Sequence, residues 1–169
     1  MSRIRPDQLL LPSVLDRLVD EDPTKQNDLE RPRAQLLREL KQSVRRDLEN
    51  LLNTRVCLYP IPNPFPDHWK NLENSLVNYG VPDFGGLMMG ARSERENLRK
   101  RVENAIRHFE TRFKQVQVFL VDDKGDNRDR TVRFRIDGLL HAEPTPEPVV
   151  FDSQLQPTSG DFTVSASQS

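Results

Sequence analysis

The chain has 169 residues, of which 35% are hydrophobic and 30% charged, and its formal net charge is −1. This length suggests one domain with a core of its own. The near-zero charge excludes a global field that would draw the protein to nucleic acid or to a membrane. The single cysteine, Cys57, cannot form an internal disulfide, and the run of leucines at residues 9–11 is far too short for a signal peptide or a membrane span. We therefore expect a cytoplasmic protein without direct membrane insertion.

The first half of the chain has the periodicity of helices. Ser13 can cap a short helix over residues 14–20, and Pro32 suits the first turn of a long helix that ends near Asn53. Four prolines between residues 58 and 68 predict an extended connection before a short helix over residues 69–77. Apolar residues recur at helical spacing along the long helix and form one stripe, which consists of Leu37, Leu40, Val44, Leu48 and Leu51.

A second long helix is predicted to end near Phe109. Ser93 and Glu96 have the spacing of a capping box at its start. One face is apolar, and the other predicts three ion pairs between residues three to four positions apart. Because the basic side chains are matched by glutamates and no aromatic residues interleave with them, a solvated face is favoured over a nucleic-acid site. The apolar face consists of Leu98, Val102, Ala105, Ile106 and Phe109, and the ion pairs are Glu96–Lys100, Arg99–Glu103 and Glu103–Arg107.

After Phe109 the apolar period becomes that of strands. Alternation around Val118 and around Phe134 predicts two half-buried strands, and residues 149–151 and 162–164 predict two shorter ones. The fold class is therefore expected to be α+β, with N-terminal helices packed on a small C-terminal antiparallel β-sheet. We expect an N-terminal extension over residues 1–12, a single domain over residues 13–164 and a disordered tail over residues 165–169.

The sequence contains no patterned catalytic, cofactor or metal site. The histidines are far apart, and the glycines between residues 80 and 90 do not match a phosphate-binding loop. Glycoside hydrolysis needs two carboxylates that flank the sugar. Glu110 is the best candidate acid, but Arg112 follows two residues later and favours an ion pair over a general acid. We therefore expect a protein that is not an enzyme.

Five stretches of the chain carry the motifs of a known family. These stretches are residues 43–55, 75–84, 106–113, 134–140 and 143–151, and residues 13–18 fit as well. They resemble TssE, the baseplate wedge subunit of bacterial type VI secretion systems, in a family that includes wedge proteins of contractile-tail phages. Thr111 stands where that family has proline, and because proline stops a helix, the end of the second helix is left open.

The resemblance implies a cytoplasmic structural subunit. Its implied partners are the wedge proteins TssF and TssG, with TssK as a further candidate, and the contractile sheath TssB–TssC. A small sheet leaves edges with which an extended segment of another chain can pair, and we expect those edges at residues 149–151 and 162–164. The residues expected to bind partners are Phe109, Glu110 and Arg112 at the junction, and Phe162 and Val164 in the last strand.

Two other functions stay open. Members of this family have often been labelled lysozyme-like, so the alternative is a peptidoglycan-cleaving enzyme. That enzyme would need two carboxylates, one of them buried among apolar side chains, facing one cleft. A stand-alone peptide-binding module would instead be a monomer with one preformed groove.

Overall fold

A computed structural model describes residues 10, 32–56, 75–82, 92–121, 131–142, 145–156 and 158–167. These residues form two helices and four strands, which confirms the predicted α+β class. No helix in these ranges is long and apolar enough to cross a membrane. The elements are α1 (Arg33–Asn53), a 3₁₀ turn (Leu76–Asn78), α2 (Arg92–Phe109), β1 (Phe113–Val121), β2 (Val132–Leu140), β3 (Glu147–Gln156) and β4 (Asp161–Ala166).

Three of the predicted segments fall mainly outside the described residues. They are the helix over residues 14–20, the proline-rich connection over residues 58–68, and most of the short helix over residues 69–77. Cys57 lies outside them as well. Only the end of the third segment is described, and it forms the 3₁₀ turn at Leu76–Asn78.

The four strands form an antiparallel sheet in which each strand pairs with the next, so β1 and β4 are its two edges. Residues 149–151 lie in β3, which pairs with β2 on one side and β4 on the other. The expectation of an edge at residues 149–151 is therefore wrong, because β4 continues the meander past them. The last strand ends at Ala166, two residues into the segment that we expected to be a disordered tail.

Both helices pack on one face of the sheet, with α2 against β1 and α1 against β4. Alternate strand residues point to that face and are buried, as the period of a half-buried strand requires. The predicted apolar stripes of both helices lie in the same core, with Leu37 and Phe109 partly buried at its margin. The fully buried stripe residues of α1 and α2 include Val44, Leu48, Val102 and Ile106, and Leu52, outside the predicted stripe, is fully buried as well.

The start of α2 differs from the prediction, whereas its end at Phe109 is the predicted one. The helix begins at Arg92, so Ser93 has helical backbone and cannot act as the non-helical N-cap that a capping box needs. At the other end the helix stops at Phe109 although Thr111 is not a proline. The amide of Glu110 makes the last helical hydrogen bond, to the carbonyl of Ile106 at 2.9 Å, and a turn follows.

We call residues 75–82 the central loop, and its Gly80 lies where this loop meets the end of α1. Its neighbour Val81 forms an isolated parallel bridge with Arg55, and the amide of Val81 donates to the carbonyl of Thr54 at 2.9 Å. Gly80 has a φ of +116°, and a Cβ atom there would lie 2.3 Å from the carbonyl oxygen of Thr54. Only glycine accepts both this backbone angle and this close approach.

Candidate functional site

Three of the sequence motifs, far apart along the chain, meet where α2 gives way to β1. Arg112 follows α2 and reaches across to the middle of α1, where it contacts Ser43 and Asp47. Tyr79, from the central loop, packs edge-on against Phe109 with ring centroids 5.2 Å apart. We refer to Ser43, Asp47, Tyr79, Phe109, Glu110 and Arg112 as the motif junction.

Arg112 is the centre of the junction. Its Nε donates to Glu110 Oε1 at 2.7 Å, and its Nη2 contacts the second oxygen of the same carboxylate. Nη2 also contacts Asp47 Oδ2 at 2.6 Å, and Nη1 donates to Ser43 Oγ at 3.0 Å. The planar guanidinium thus binds one carboxylate with two nitrogens and still reaches α1, a geometry that lysine could not reproduce.

The Glu110 carboxylate also fixes the turn that ends α2. Glu110 Oε1 accepts a hydrogen bond from the backbone amide of Arg112 at 3.1 Å, and the amide of Phe113 donates to the Glu110 carbonyl at 3.3 Å. Thr111 therefore lies in a turn between Glu110 and Arg112. The turn is held by the side chain of Glu110, so the helix end does not depend on a proline at position 111.

Charge and burial in the junction favour an ion-pair network. The Glu110 side chain is only 8% exposed, so it is not the surface carboxylate of an ordinary exposed pair. Burial lowers the pKa of Arg112, but hydrogen bonds and charge from Glu110, followed by those from Asp47, raise it further than burial lowers it. The pKa of Tyr79 is raised by burial first and then by the negative charges of Asp47 and Glu110. Neither shift provides a proton donor near neutral pH.

A separate groove lies between the charged side of α2 and the edge strand β1, and its cavity has a volume of about 990 Å³. Neither Glu110 nor Asp47 lines it. Among the charged side chains on its walls the cationic ones outnumber the acidic ones by five to three. They are Arg92, Arg95, Arg99, Arg107 and Lys114 against Glu96, Glu103 and Asp137.

In this groove two side chains of α2 bind the backbone of β1. Glu103 Oε2 accepts from the amide of Val118 at 3.2 Å, and Arg99 Nη1 donates to the carbonyl of Val118 at 3.1 Å. The two side chains also pair with each other at 2.6 Å. Sequence analysis predicted the Arg99–Glu103 pair from helical spacing but placed it on a solvated face, which is wrong because both side chains are at most 19% exposed.

Of the two neighbouring ion pairs that the sequence predicts, one differs in the structure and one is present. Glu96 pairs with Arg99 at 2.8 Å instead of with Lys100, whereas the predicted pair between Glu103 and Arg107 is present at 2.7 Å. The contact of this network with Val118 was missed, since helical spacing identifies side chains that meet each other but not the strand on which they lie.

The opposite edge of the sheet is bound by α1. Asn53 accepts from the amide of Phe162 at 2.8 Å and donates to its carbonyl at 2.9 Å. Arg45 Nη1 donates to the carbonyl of Val164 at 3.1 Å. The side chains of Phe162 and Val164 are each 2% exposed and belong to the core, so any contact of theirs with a partner would have to use the backbone.

The residues of the described part that could act chemically do not converge on a reactive site. No group of three or more His, Cys, Asp or Glu side chains in the described ranges could hold a metal ion. The three acidic side chains in the groove are each paired with an arginine: Glu96 with Arg99, Glu103 with Arg99 and Arg107, and Asp137 with Arg135. The groove and the junction instead present charged side chains and backbone hydrogen-bonding groups that another molecule could bind.

Comparison with protein families identifies the chain. Residues 38–145, which include most of α1, all of α2 and the first two strands, match the family described as baseplate wedge protein gp25. The chain belongs to this family. A gp25-family wedge protein is a structural component of a baseplate, and other baseplate proteins are its partners. A comparison with curated proteins gives no match.

Proposed function

We propose that this gp25-family protein is the TssE-type wedge subunit of a type VI secretion system. In this role it acts in the bacterial cytoplasm at the membrane-docked baseplate, where it joins TssF and TssG, with TssK as a further neighbour, and seats the TssB–TssC sheath. The proposal goes beyond the family assignment, which is to the baseplate wedge in general.

The observation that carries the proposal is the meeting of three TssE-like motifs at one junction. Residues 43–55, 75–84 and 106–113 resemble TssE separately in sequence, and their side chains contact one another through Arg112 and through the Tyr79–Phe109 ring pair. Motifs that resemble a family by chance would have no reason to be in contact. The contacts therefore support the resemblance as a property of the folded domain.

The junction also suggests how the subunit recognises other wedge proteins. Arg112 stays 22% and Asp47 28% exposed, so a polar edge of the network is accessible, while the buried Glu110 holds Arg112 in place. We propose that a wedge partner binds this edge and that Phe109 contributes the adjacent apolar surface. Glu110 then positions Arg112 and does not itself contact the partner.

Sheath seating is proposed to use a sheet edge. Both edges of the sheet are formed by single strands, β1 and β4, and an extended segment of another chain can add to such a strand through backbone hydrogen bonds. Asn53 and Arg45 already bind the outward backbone groups of Phe162 and the carbonyl of Val164. The outward backbone groups of Val118 in β1 are bound as well, but by Arg99 and Glu103, each of which has another ion-pair partner to keep if it releases the strand. For this reason we favour β1 over the originally expected residues 162–164.

The decisive experiment is assembly in cells that express the other baseplate proteins. A tagged form of the chain should co-purify TssF and TssG, and cells that lack the chain should not assemble sheaths. Arg112→Lys keeps the charge but loses the two-nitrogen contact, so it should reduce co-purification if the protein remains folded. Recovery of phage-tail proteins without TssF or TssG would refute the secretion-system assignment and leave the family assignment intact.

The peptidoglycan-cleaving alternative has a direct test of its own. Purified protein should clear peptidoglycan no faster than a heat-inactivated control, because the Glu110 carboxylate is bound by two guanidinium nitrogens of Arg112 and does not line the groove beside β1. Turnover that is reproducible and is lost in Glu110→Gln would overturn the structural role.

A further inference from the structure

We propose that Arg99 and Glu103 form a latch that closes the β1 edge in the free protein, and that an acidic extended segment of a partner opens the latch by adding to β1 within the groove. The identity of the partner rests on the proposed function, in which the segment belongs to a sheath subunit. The closure of the edge does not rest on it.

The latch occupies the position that an added strand would need. In an antiparallel pair the backbone groups of alternate residues point to opposite sides of the strand. Since the amide and carbonyl of Val118 point to α2, those of Val116 and Leu120 face the same groove. A strand that pairs with these residues must take the backbone groups of Val118 from Glu103 and Arg99.

Opening the latch leaves neither side chain without a partner. Glu103 uses Oε2 for Arg99 and Val118, while its Oε1 pairs with Arg107 at 2.7 Å. Arg99 uses Nη1 for Glu103 and Val118, while its Nε donates to Glu96 at 2.8 Å. Each side chain can therefore release Val118 and keep one ion pair, so opening does not bury an unpaired charge.

The chemistry of the groove specifies the occupant. Its walls carry five cationic side chains against three acidic ones, so their formal net charge is positive, although Arg99 and Arg107 are themselves paired with acidic side chains of the groove. A segment with carboxylates on the side that faces α2 would be attracted by this excess of positive charge. The groove runs along β1 from Phe113 to Leu120, which is long enough for a strand of about five residues.

Hydrogen exchange in the free protein tests the closure of the edge. The amide of Val118 should exchange about tenfold faster or more in Glu103→Ala, since it loses a hydrogen bond to a charged acceptor. Glu103→Gln keeps an acceptor oxygen and should fall between the parent and Glu103→Ala. Arg107→Ala removes a neighbouring ion pair but leaves the Val118 contact, so it is the matched control and should not change this amide. Equal exchange in the parent and in Glu103→Ala would overturn the latch.

Binding of purified TssB–TssC sheath subunits tests the opening. The amides of Val116, Val118 and Leu120 should exchange more slowly in the complex, and Glu103→Ala should bind faster than Arg107→Ala because it has no latch to displace. Binding that leaves these amides unchanged would overturn the latch mechanism while the proposed function survives. If neither the parent nor any variant binds the sheath subunits, the proposed function and the sheath as partner both fail, and the exchange of Val118 in the free protein still decides whether the edge is closed.

Discussion

At the residue scale, the motif junction shows how a short charged motif can organise distant parts of a chain. Arg112 lies 65 residues from Asp47 and 69 from Ser43, yet it contacts both. Glu110 binds two nitrogens of the guanidinium and so holds Arg112 in the orientation in which it contacts α1. The motif therefore stabilises the fold itself, apart from the partner binding that we propose for it.

Removal of Arg112 should destabilise the domain. Arg112→Ala leaves the buried Glu110 carboxylate without its guanidinium, and a buried carboxylate that loses its partner typically costs about 3 kcal/mol or more. The free energy of unfolding, measured by denaturant titration, should fall by about that amount. Arg46→Ala is the matched control, since Arg46 pairs with the same Asp47 at 3.3 Å but is 45% exposed, and it should cost under about 1 kcal/mol. Equal costs for the two variants would show that Arg112 acts as an ordinary surface residue.

At the element scale, the helices contribute their apolar stripes to the core and their charged sides to the sheet edges. Leu48 in α1 and Ile106 in α2 are fully buried, whereas Asn53 and Glu103 bind backbone groups of β4 and β1. Each helix therefore packs into the core with one side and protects one edge of the sheet with another. Natural sheets commonly cover their edges in this way against unwanted pairing.

Truncation of the stripes should be costly in both helices. Leu48→Ala and Ile106→Ala each leave a cavity in a core that cannot fully collapse, so each should lower the free energy of unfolding by about 2–5 kcal/mol. Leu76→Ala provides the control, because Leu76 is 84% exposed in the 3₁₀ turn. Denaturation midpoints of the three variants measure the difference. A loss below about 0.5 kcal/mol for Leu48→Ala would mean that it behaves as a surface substitution.

The charged network of α2 should make stability depend on acidic pH. Burial alone would raise the pKa of Glu103, but the hydrogen bond from Val118 and the charges of Arg99 and Arg107 lower it below the ordinary value of 4.5. The stabilisation is therefore present above pH 4.5 and is lost as the pH falls through the lowered value. Lys114 of β1 and Asp137 of β2 also line the groove, and Asp137 remains paired with Arg135.

Glu103→Gln isolates this contribution from the other carboxylates that titrate in the same range. The parent should melt at a higher temperature than Glu103→Gln at pH 7, and the difference should shrink as the pH falls below 4.5 and through the lowered pKa of Glu103 in the folded protein. A melting-temperature difference that stays constant over this range would show that the charge of Glu103 contributes nothing to stability.

The sequence predicts which face of each element is buried better than it predicts which elements lie side by side, and the reason is physical. The stripe of α1 and the alternation around Phe134 each identify a buried face, because a period of 3.6 or 2 residues relates directly to one side of an element. Neither period tells which strand lies beside which, so β3 was mistaken for an edge. The partners of Arg112 and the contact of Glu103 with Val118 depend on tertiary packing, and no local spacing encodes them.

At the scale of the whole molecule, the two edges of the sheet are closed by different helices in different ways. The β1 edge is covered by an ion pair whose members have other partners. The β4 edge is covered by Asn53, which both donates to and accepts from Phe162, and by Arg45 at Val164. The two edges therefore differ in how they are covered, and this difference is consistent with our proposal that a partner adds to β1 and not to β4.

This asymmetry predicts the behaviour of the molecule when the β4 edge is opened. Asn53→Ala removes both hydrogen bonds to Phe162 and exposes its amide and carbonyl to pairing with a second chain. Sedimentation velocity over a range of concentrations should then show more self-association than in the parent. Asn50→Ala is the matched control, since Asn50 lies one turn earlier on the exposed side of α1. Circular dichroism must show both variants folded, because unfolded chains also aggregate. If folded Asn53→Ala sediments like the parent at every concentration, the β4 edge is closed by packing of α1 itself, and the side chain of Asn53 only satisfies the two backbone groups that it binds.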